Sequence, residues 1–264
     1  MKKWIKIASW VLFLSGVSFV LISAKHLEER QTLLEPEIDL KVQNGIALIT
    51  EEEILKELKF NRLFWKGMKK EELEVSKIEK FLVGLNEVES AEVFVELGAE
   101  WKIKIRSRLP IARVVLNNRS DFYLDSRRKV MNISEYSKPK ILTFTGLEGV
   151  FNHQVSLNEI INNDSLITKF KLDQIYRISR YVCNDAFYDA QIVQVHYDSK
   201  EGFILVPRVG RHDIIFGSAN SEEEVKAKFN KLTTFYEDVI PYEGWDKYKS
   251  INLKFENQIV AKKK

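Results

Sequence analysis

An uncharged stretch of 18 residues near the start of the chain, residues 7–24, restricts its possible folds more than any other feature. As a helix the stretch is about 27 Å long at about 1.5 Å per residue, close to the roughly 30 Å hydrocarbon core of a bilayer. Trp4 lies where an amphipathic ring favours the membrane interface, and Lys2, Lys3 and Lys6 precede the stretch. Because lysines favour the cytoplasmic side, we predict an uncleaved transmembrane helix over 7–24, with the bulk of the chain outside the cytoplasm.

Two alternatives to a membrane anchor are a cleaved signal peptide and a buried core helix. The apolar region of a signal peptide is usually about 7–15 residues long and ends at a small-x-small site. Here the stretch is longer, and the bulky Ile22 lies two residues before Ala24. A core helix would need a partner surface that covers 18 uncharged residues. Both alternatives therefore fit the stretch less well than an anchor does.

Small side chains recur along one side of this predicted helix. Ser9, Gly16 and Ser23 are seven residues apart, so they drift only about 20° around the helix per repeat. Small residues allow a second membrane helix to approach closely, and we predict a packing face at these positions. The alternative is that membrane helices simply tolerate glycine and serine.

The composition excludes several classes of function. The 41 basic and 38 acidic residues are interleaved and leave a net charge of only +3, so no global field points to nucleic acid. The single cysteine, Cys183, excludes an internal disulfide. His26, His153, His196 and His212 are too far apart for the usual spacing of a zinc site. We expect no metal, no cofactor and no small-molecule substrate, and a metal site built from histidines distant in sequence is the alternative.

Periodicity after the anchor predicts a small β-α-α-β-β unit over residues 37–107. Residues 25–36 are polar and are interpreted as a juxtamembrane linker. Thr50 and Glu53 form a capping-box pattern at the start of a helix. The apolar residues that carry the pattern alternate in strands or recur every three to four residues in helices: Ile38, Leu40, Val42; Ile54, Leu55, Leu58; Val75, Ile78, Leu82, Leu85; Ala91, Val93, Val95; Trp101, Ile103, Ile105.

The rest of the chain is predicted to form a second, mainly β domain with two helices. Alternation predicts strands at 111–116 and 122–125, a hairpin of 191–197 with 203–206, a short strand at 213–216, and strands from 250 to the end. Helical spacing predicts one helix over 165–182 and a second that starts at Ser221 and ends at Pro241. The fold class expected for the whole chain is therefore α+β.

Four features of the sequence resemble the FtsQ/DivIB family of bacterial cell-division proteins. The β-α-α-β-β unit after one anchor resembles a POTRA domain, and Pro110-Ile111-Ala112-Arg113-Val114 resembles the family's junction to its β domain. Tyr123-Leu124-Asp125 resembles the following strand and turn, and the segment 251–260 resembles the final strands. The resemblance covers nearly the whole chain, with residues 134–190 aligned only loosely.

The resemblance implies a domain order and a function. It implies a cytoplasmic tail (1–6), the transmembrane helix (7–24), the linker (25–36), a POTRA domain (37–107), a β domain (108–260) and a basic tail (261–264). It further implies a non-catalytic, single-pass scaffold of the inner membrane, located at the division septum with its bulk in the periplasm. Its implied partners are small bitopic division proteins of the FtsB and FtsL type, with which it coordinates septal cell-wall synthesis.

The last strand is a candidate docking edge for such a partner. Residues 250–255 alternate in polarity, no proline interrupts them, and a final strand often lies at a sheet edge. The predicted partner-binding residues are Ile251, Asn252, Leu253, Lys254, Phe255 and Glu256. By the resemblance, Lys254 and Phe255 match a basic-aromatic pair of the family, with lysine in place of the usual arginine. The alternative is an ordinary edge strand whose Phe255 belongs to the core.

Two other functions remain open at the level of sequence. One is an anchored envelope enzyme of the serine hydrolase type, because Ser-x-x-K occurs at Ser126–Lys129 and at Ser137–Lys140. The first match lies in a predicted turn and the second in a loop, so chance explains both better. The other is a POTRA scaffold for secretion or outer-membrane assembly, which would require many alternating segments of about 10 residues for a membrane barrel.

Overall fold

The chain divides into two compact units, Met1–Ser107 and Arg108–Lys264. The computed structural model describes residues 10–20, 30–116, 121–147, 163, 165, 169 and 171–264. Residues 10–20 are helical, and none of the helices in the described part of the chain is long and apolar enough to cross a membrane. Ser9 and Ser23 of the predicted packing face lie outside the described residues, whereas Gly16 lies within the helical segment.

From residue 30 onward, the first unit consists of a three-stranded sheet, two α-helices and a short 3-10 helix (Lys70–Glu72). Its elements in chain order are β1 (Glu37–Lys41), α1 (Glu51–Phe60), α2 (Val75–Gly84), β2 (Val88–Val95) and β3 (Trp101–Ser107). Strand β3 is central, parallel to β1 and antiparallel to β2. The order β-α-α-β-β is the one that the periodicity predicts.

The start of α1 follows from its sequence. Thr50 Oγ1 accepts a hydrogen bond from the backbone N–H of Glu53 at 3.3 Å, and Glu53 Oε2 accepts one from Thr50 N–H at 2.8 Å. This capping box satisfies amide donors that a helix leaves unpaired in its first turn. Ile54 and Leu58, one turn apart, are then fully buried. The predicted helix start is confirmed.

Residues expected to be part of a linker belong to the core of the first unit. Leu33 is only 4% exposed, and its backbone N–H donates to Met68 O at 2.8 Å. The indole Nε1–H of the buried Trp101 donates to Leu34 O at 2.9 Å. Because most residues of 25–36 are polar, the composition of this stretch does not indicate that Leu33 is buried. A fragment that begins at residue 37 would therefore lack part of the first unit.

The second unit is built on one nine-stranded sheet in the order β12-β11-β10-β9-β8-β7-β4-β5-β6. The pairs β4–β7, β7–β8 and β10–β11 are parallel, and the other pairs are antiparallel. The strands are β4 (Pro110–Leu116), β5 (Asp121–Asp125), β6 (Val130–Asn132), β7 (Thr143–Leu147), β8 (Ile192–Asp198), β9 (Gly202–Pro207), β10 (Asp213–Gly217), β11 (Tyr248–Asn252) and β12 (Val260–Lys263).

In the part of the second unit from residue 171 onward, two long helices and two short ones lie beside this sheet, namely α3 (Leu172–Cys183), α4 (Ala186–Gln191), α5 (Glu222–Asp238) and α6 (Ile240–Glu243). The long helices share one apolar core with the strands. Within that core, Phe229 of α5 stacks on Tyr181 of α3 with ring centroids 4.2 Å apart and lies 5.2 Å from Phe216 of β10. The α+β class is confirmed, and α4 and α6 are additions to the two expected helices.

Candidate partner-docking site

The segment expected to form the sheet edge lies one strand further in. Strand β11 is hydrogen-bonded on one side to β10, in parallel, and on the other to β12, in antiparallel register. Within the described part of the chain, β12 pairs only with β11 and forms the edge. The expectation that residues 250–255 are the edge strand is therefore wrong. Ala261, Lys262 and Lys263, which were expected to belong to a basic tail, lie in β12, where both lysines are exposed.

The six predicted partner-binding residues divide into two groups. Ile251 and Leu253 are fully buried, so their side chains belong to the core and Asn252 lies half-buried between them. Lys254, Phe255 and Glu256 lie beyond the end of β11, where the regular alternation ceases. Phe255 is 43% exposed, which contradicts the alternative that assigned it to the core. These three side chains and the outer edge of β12 are the surface that a partner could contact.

One ammonium group holds the loop between β11 and β12. Lys231, on α5, donates from Nζ to the backbone oxygens of Leu253 at 2.9 Å, Phe255 at 2.5 Å and Glu256 at 3.5 Å. Burial, and then the neighbouring Lys228 ammonium, lower the pKa of Lys231. Because carbonyl oxygens that have left the β ladder need donors, this side chain fixes the position of Phe255 relative to the sheet. Lys231 is not among the partner-binding residues predicted from sequence, because nothing in the pattern of its helix distinguishes it.

Replacing Lys231 by methionine should loosen this loop. The change keeps the aliphatic stem but removes donors to three carbonyls, at a cost of about 1–2 kcal/mol for a partly exposed charged donor. Hydrogen exchange should therefore accelerate at residues 253–259 more than in β8 or β9. Lys226→Met, which removes an exposed lysine from the same helix, is the control. Equal exchange in the two variants would contradict the role of Lys231.

Lys254 lies across a glycine of the neighbouring strand. Its Nζ contacts Glu201 Oε2 at 2.5 Å, and its backbone N–H donates to Asn252 Oδ1 at 3.0 Å. Gly217 has φ of +78°, and a Cβ there would lie 2.7 Å from Lys254 Cγ. Glycine is required at this position both for the backbone conformation and for the close approach. The ion pair is solvent-exposed and stabilises the fold little, so Lys254 remains available to a carboxylate of a partner.

The β12 edge carries charges that limit unspecific strand pairing. Lys262 and Lys263 are exposed on a strand of only four residues, and lysine on a short edge strand discourages aggregation. Lys263 Nζ lies 3.6 Å from Glu243, whose pKa is held below its ordinary value by Lys247 and then by Lys263. The main-chain groups on the outer side of β12 could pair with an added strand. Acidic side chains on that strand would complement the charge of Lys262 and Lys263.

A buried histidine lies directly before β10. His212 is 3% exposed, its Nε2 lies 3.1 Å from the hydroxyl oxygen of Tyr236, and its ring stacks on Trp245 at 6.4 Å. Burial lowers the pKa of His212, against smaller opposing effects from the Trp245 backbone and Asp213. The neutral imidazole is therefore the form that the folded second unit retains.

Stability should consequently fall as the pH drops below about 6.5. In the unfolded chain His212 takes up a proton near its ordinary pKa of 6.5, whereas the native imidazole stays neutral to lower pH. Its contribution to stability is present above pH 6.5 and is lost as the pH falls towards the native pKa. The unfolding temperature, measured from pH 7.5 to 5, should decrease less in His212→Phe than in the unchanged protein. The exposed His196→Gln is the control, and an unchanged pH profile in His212→Phe would contradict the prediction.

The residues considered for metal binding are not brought together in the described regions. No group of three or more His, Cys, Asp or Glu side chains there is placed to hold a metal ion. His26 and His153 lie outside the described residues. Ser126 and Lys129 lie in the β5–β6 turn, where Asp125 Oδ1 accepts backbone N–H bonds from Arg127 at 2.9 Å and Lys129 at 2.7 Å. These hydrogen bonds stabilise the turn, so the segment Ser126–Lys129 has a structural role there.

Comparison with known proteins gave one family match. A family model described as FtsQ/DivIB, C-terminal related, matches residues 109–262. The matched residues run from the start of β4 into β12 and include the candidate docking region except Lys263. No curated protein matched the chain.

Proposed function

We propose that this chain, which belongs to the FtsQ/DivIB family of bacterial cell-division proteins, is a non-catalytic scaffold that holds partner proteins at the site of septal cell-wall synthesis. The family match over residues 109–262 is the observation that carries the proposal, because it spans nearly all of the second unit. The exposed β12 edge supports the scaffolding role, since it offers main-chain donors and acceptors at the border of a large sheet.

The partner that we propose is a strand of a small bitopic division protein of the FtsB and FtsL type. A strand added to β12 would gain main-chain hydrogen bonds, and Lys254, Phe255 and Glu256 would supply side-chain selectivity beside it. Lysine at position 254 would contact a partner carboxylate as a point charge, because an ammonium lacks the bidentate geometry of a guanidinium.

Membrane anchoring is the second part of the proposal. Residues 7–24 would cross the inner membrane once, with residues 1–6 inside and both units in the periplasm. Gly16, with Ser9 and Ser23, would pack against a partner's membrane helix. In the helical segment 10–20 a Cβ at Gly16 would meet nothing within 4 Å, so the position is open to a close neighbour.

The proposed topology predicts the behaviour of a reporter fused after Lys264. A reporter that is active only outside the cytoplasm should be active, and a fluorescent protein that matures only in the cytoplasm should be dark at the same position. Immunoblots of both fusions control for expression. A silent external reporter together with a bright cytoplasmic one would refute the periplasmic location.

Affinity capture of the full chain from membranes tests the proposed function itself. Small single-pass division proteins should co-purify with the tagged chain and should be identified by mass spectrometry. Gly16→Leu should reduce their recovery in lipid, where helix packing contributes, and the β12 variants described in the Discussion should remove it. Failure to recover any division protein, with the tagged chain intact, would count against the scaffold.

A further inference from the structure

A polar cleft lies at one end of the nine-stranded sheet, beside the starts of β7 and β8, the end of β9 and the middle of β4. The aligned residues Arg113, Thr143 and Gln194 mark this end, and Ile192 pairs with Pro207 there. The cleft has a volume of about 690 Å³, within the range of roughly 300–1,000 Å³ typical of ligand sites. In strand order, β10 and β11 lie between the cleft and the β12 edge.

Cationic side chains dominate the polar lining of this cleft, which contains Arg113, Lys138, Lys140 and Arg208 against the single carboxylate of Asp189. Arg113 is ion-paired with Asp121 through both Nε and Nη2. In the described residues no ion pair joins Lys138, Lys140 or Arg208 to a carboxylate. This local excess of positive charge contrasts with the near-neutral chain, whose net charge is +3. A cleft with several unneutralised cations attracts an anion.

The guanidinium of Arg208 is held in place by the backbone. Its Nε donates to Ala190 O at 2.8 Å, and its own backbone N–H donates to Gln191 O at 2.6 Å. These two bonds fix the position of the side chain while leaving the charge of the guanidinium uncompensated. A positioned arginine loses less side-chain entropy on binding a carboxylate than a free one does.

The spacing of the two lysines distinguishes between kinds of anion. Pro139 lies between them and favours an extended backbone at Lys138, which puts their α-carbons about 6–7 Å apart. Acidic residues two apart in an extended peptide recur at the same interval. A single phosphate would fill only a small part of about 690 Å³, since a water occupies about 30 Å³. The apolar side chains of Leu142, Ile192 and Val193 also line the cleft. They could contact the apolar residues that lie between the carboxylates of such a peptide.

We infer that this cleft binds an extended acidic peptide segment, with carboxylates at alternate positions contacting Lys138, Lys140 and Arg208. The inference is independent of the β12 docking edge, since no residue of that edge lines the cleft. The ligand would be held mainly by charge-assisted hydrogen bonds at an open surface, so its binding should weaken as salt screens the charges.

Fluorescence anisotropy with the full chain in detergent tests the inference. The probe is a labelled Glu-Val-Glu-Val-Glu peptide with blocked ends, compared with Lys-Val-Lys-Val-Lys. Lys138→Gln with Lys140→Gln should weaken binding of the acidic probe by about three- to tenfold, since each exposed ion pair contributes up to about fivefold. Lys226→Gln with Lys249→Gln removes the same charge from exposed positions outside the cleft and should leave binding unchanged. The basic probe should not bind.

Three outcomes would overturn the inference. The first is equal affinity of the acidic probe for the cleft variant and the control variant, with both folded by circular dichroism. The second is binding of tripolyphosphate, but not of the peptide, that depends on Lys138 and Lys140. The third is the same dependence for vesicles containing anionic lipid, with no binding of the peptide. A β12 variant that fails to capture a division partner but still binds the acidic probe would show that the cleft and the β12 edge bind independently.

Discussion

Proline in strand β12 should abolish capture of the partner while the second unit stays folded. Neighbouring residues of a strand point their N–H groups to opposite sides, so of Ala261 and Lys262 one donates towards β11 and the other points outward. Proline at the outward position removes a donor and places its ring against the incoming strand. We expect recovery of the partner to fall at least about tenfold, because main-chain bonds supply most of the affinity in strand addition.

The other proline variant and a side-chain variant serve as controls. Proline at the inward position breaks the β11–β12 ladder, so it should lower the unfolding temperature, which the outward variant should not do. Lys262→Ala removes the charge but keeps the amide and should reduce capture only slightly. Undiminished capture by both proline variants would show that the partner does not add a strand at this edge.

The parts of the fold that could be predicted from sequence are those fixed by neighbouring residues. The capping box of Thr50 and Glu53 satisfies its own amides within one turn, so its outcome depends on no distant contact. Alternation along Trp101, Ile103 and Ile105 likewise matches the buried face of β3, where each is at most 2% exposed. The short helix α4 was missed, although Asp185 caps it by accepting from the backbone N–H groups of Phe187 and Tyr188.

The candidate site was only partly predictable because its geometry depends on pairing between distant strands. Strands β10 and β11 are parallel and are separated in sequence by α5 and α6, so nothing local indicates that β11 is inserted between β10 and β12. The alternation of 250–255 suggested one face for Ile251, Leu253 and Phe255. The backbone leaves the ladder after Asn252, however, and Phe255 becomes exposed. Lys231 could not be identified, because its three carbonyl partners are brought to it only by the fold.

Truncating Trp101 should destabilise the first unit by about 3–5 kcal/mol, the usual cost of deleting a buried aromatic side chain. The indole is 2% exposed and lies 5.4 Å from the ring of Phe64. Its Nε1–H donates to Leu34 O, so alanine also leaves that carbonyl without its donor. A unit of this size has a small core and modest stability, so the loss should approach complete unfolding.

Urea unfolding of a fragment spanning residues 30–107, followed by far-UV circular dichroism, measures this loss. The fragment begins at 30 because Leu33 is buried in the unit and Leu34 accepts the indole bond. Trp101→Phe keeps a ring beside Phe64 without the donor and should cost less than alanine. Trp65→Ala removes an indole that is 42% exposed and should shift the transition little. If Trp101→Ala left the midpoint where Trp65→Ala leaves it, Trp101 would not be the centre of this core.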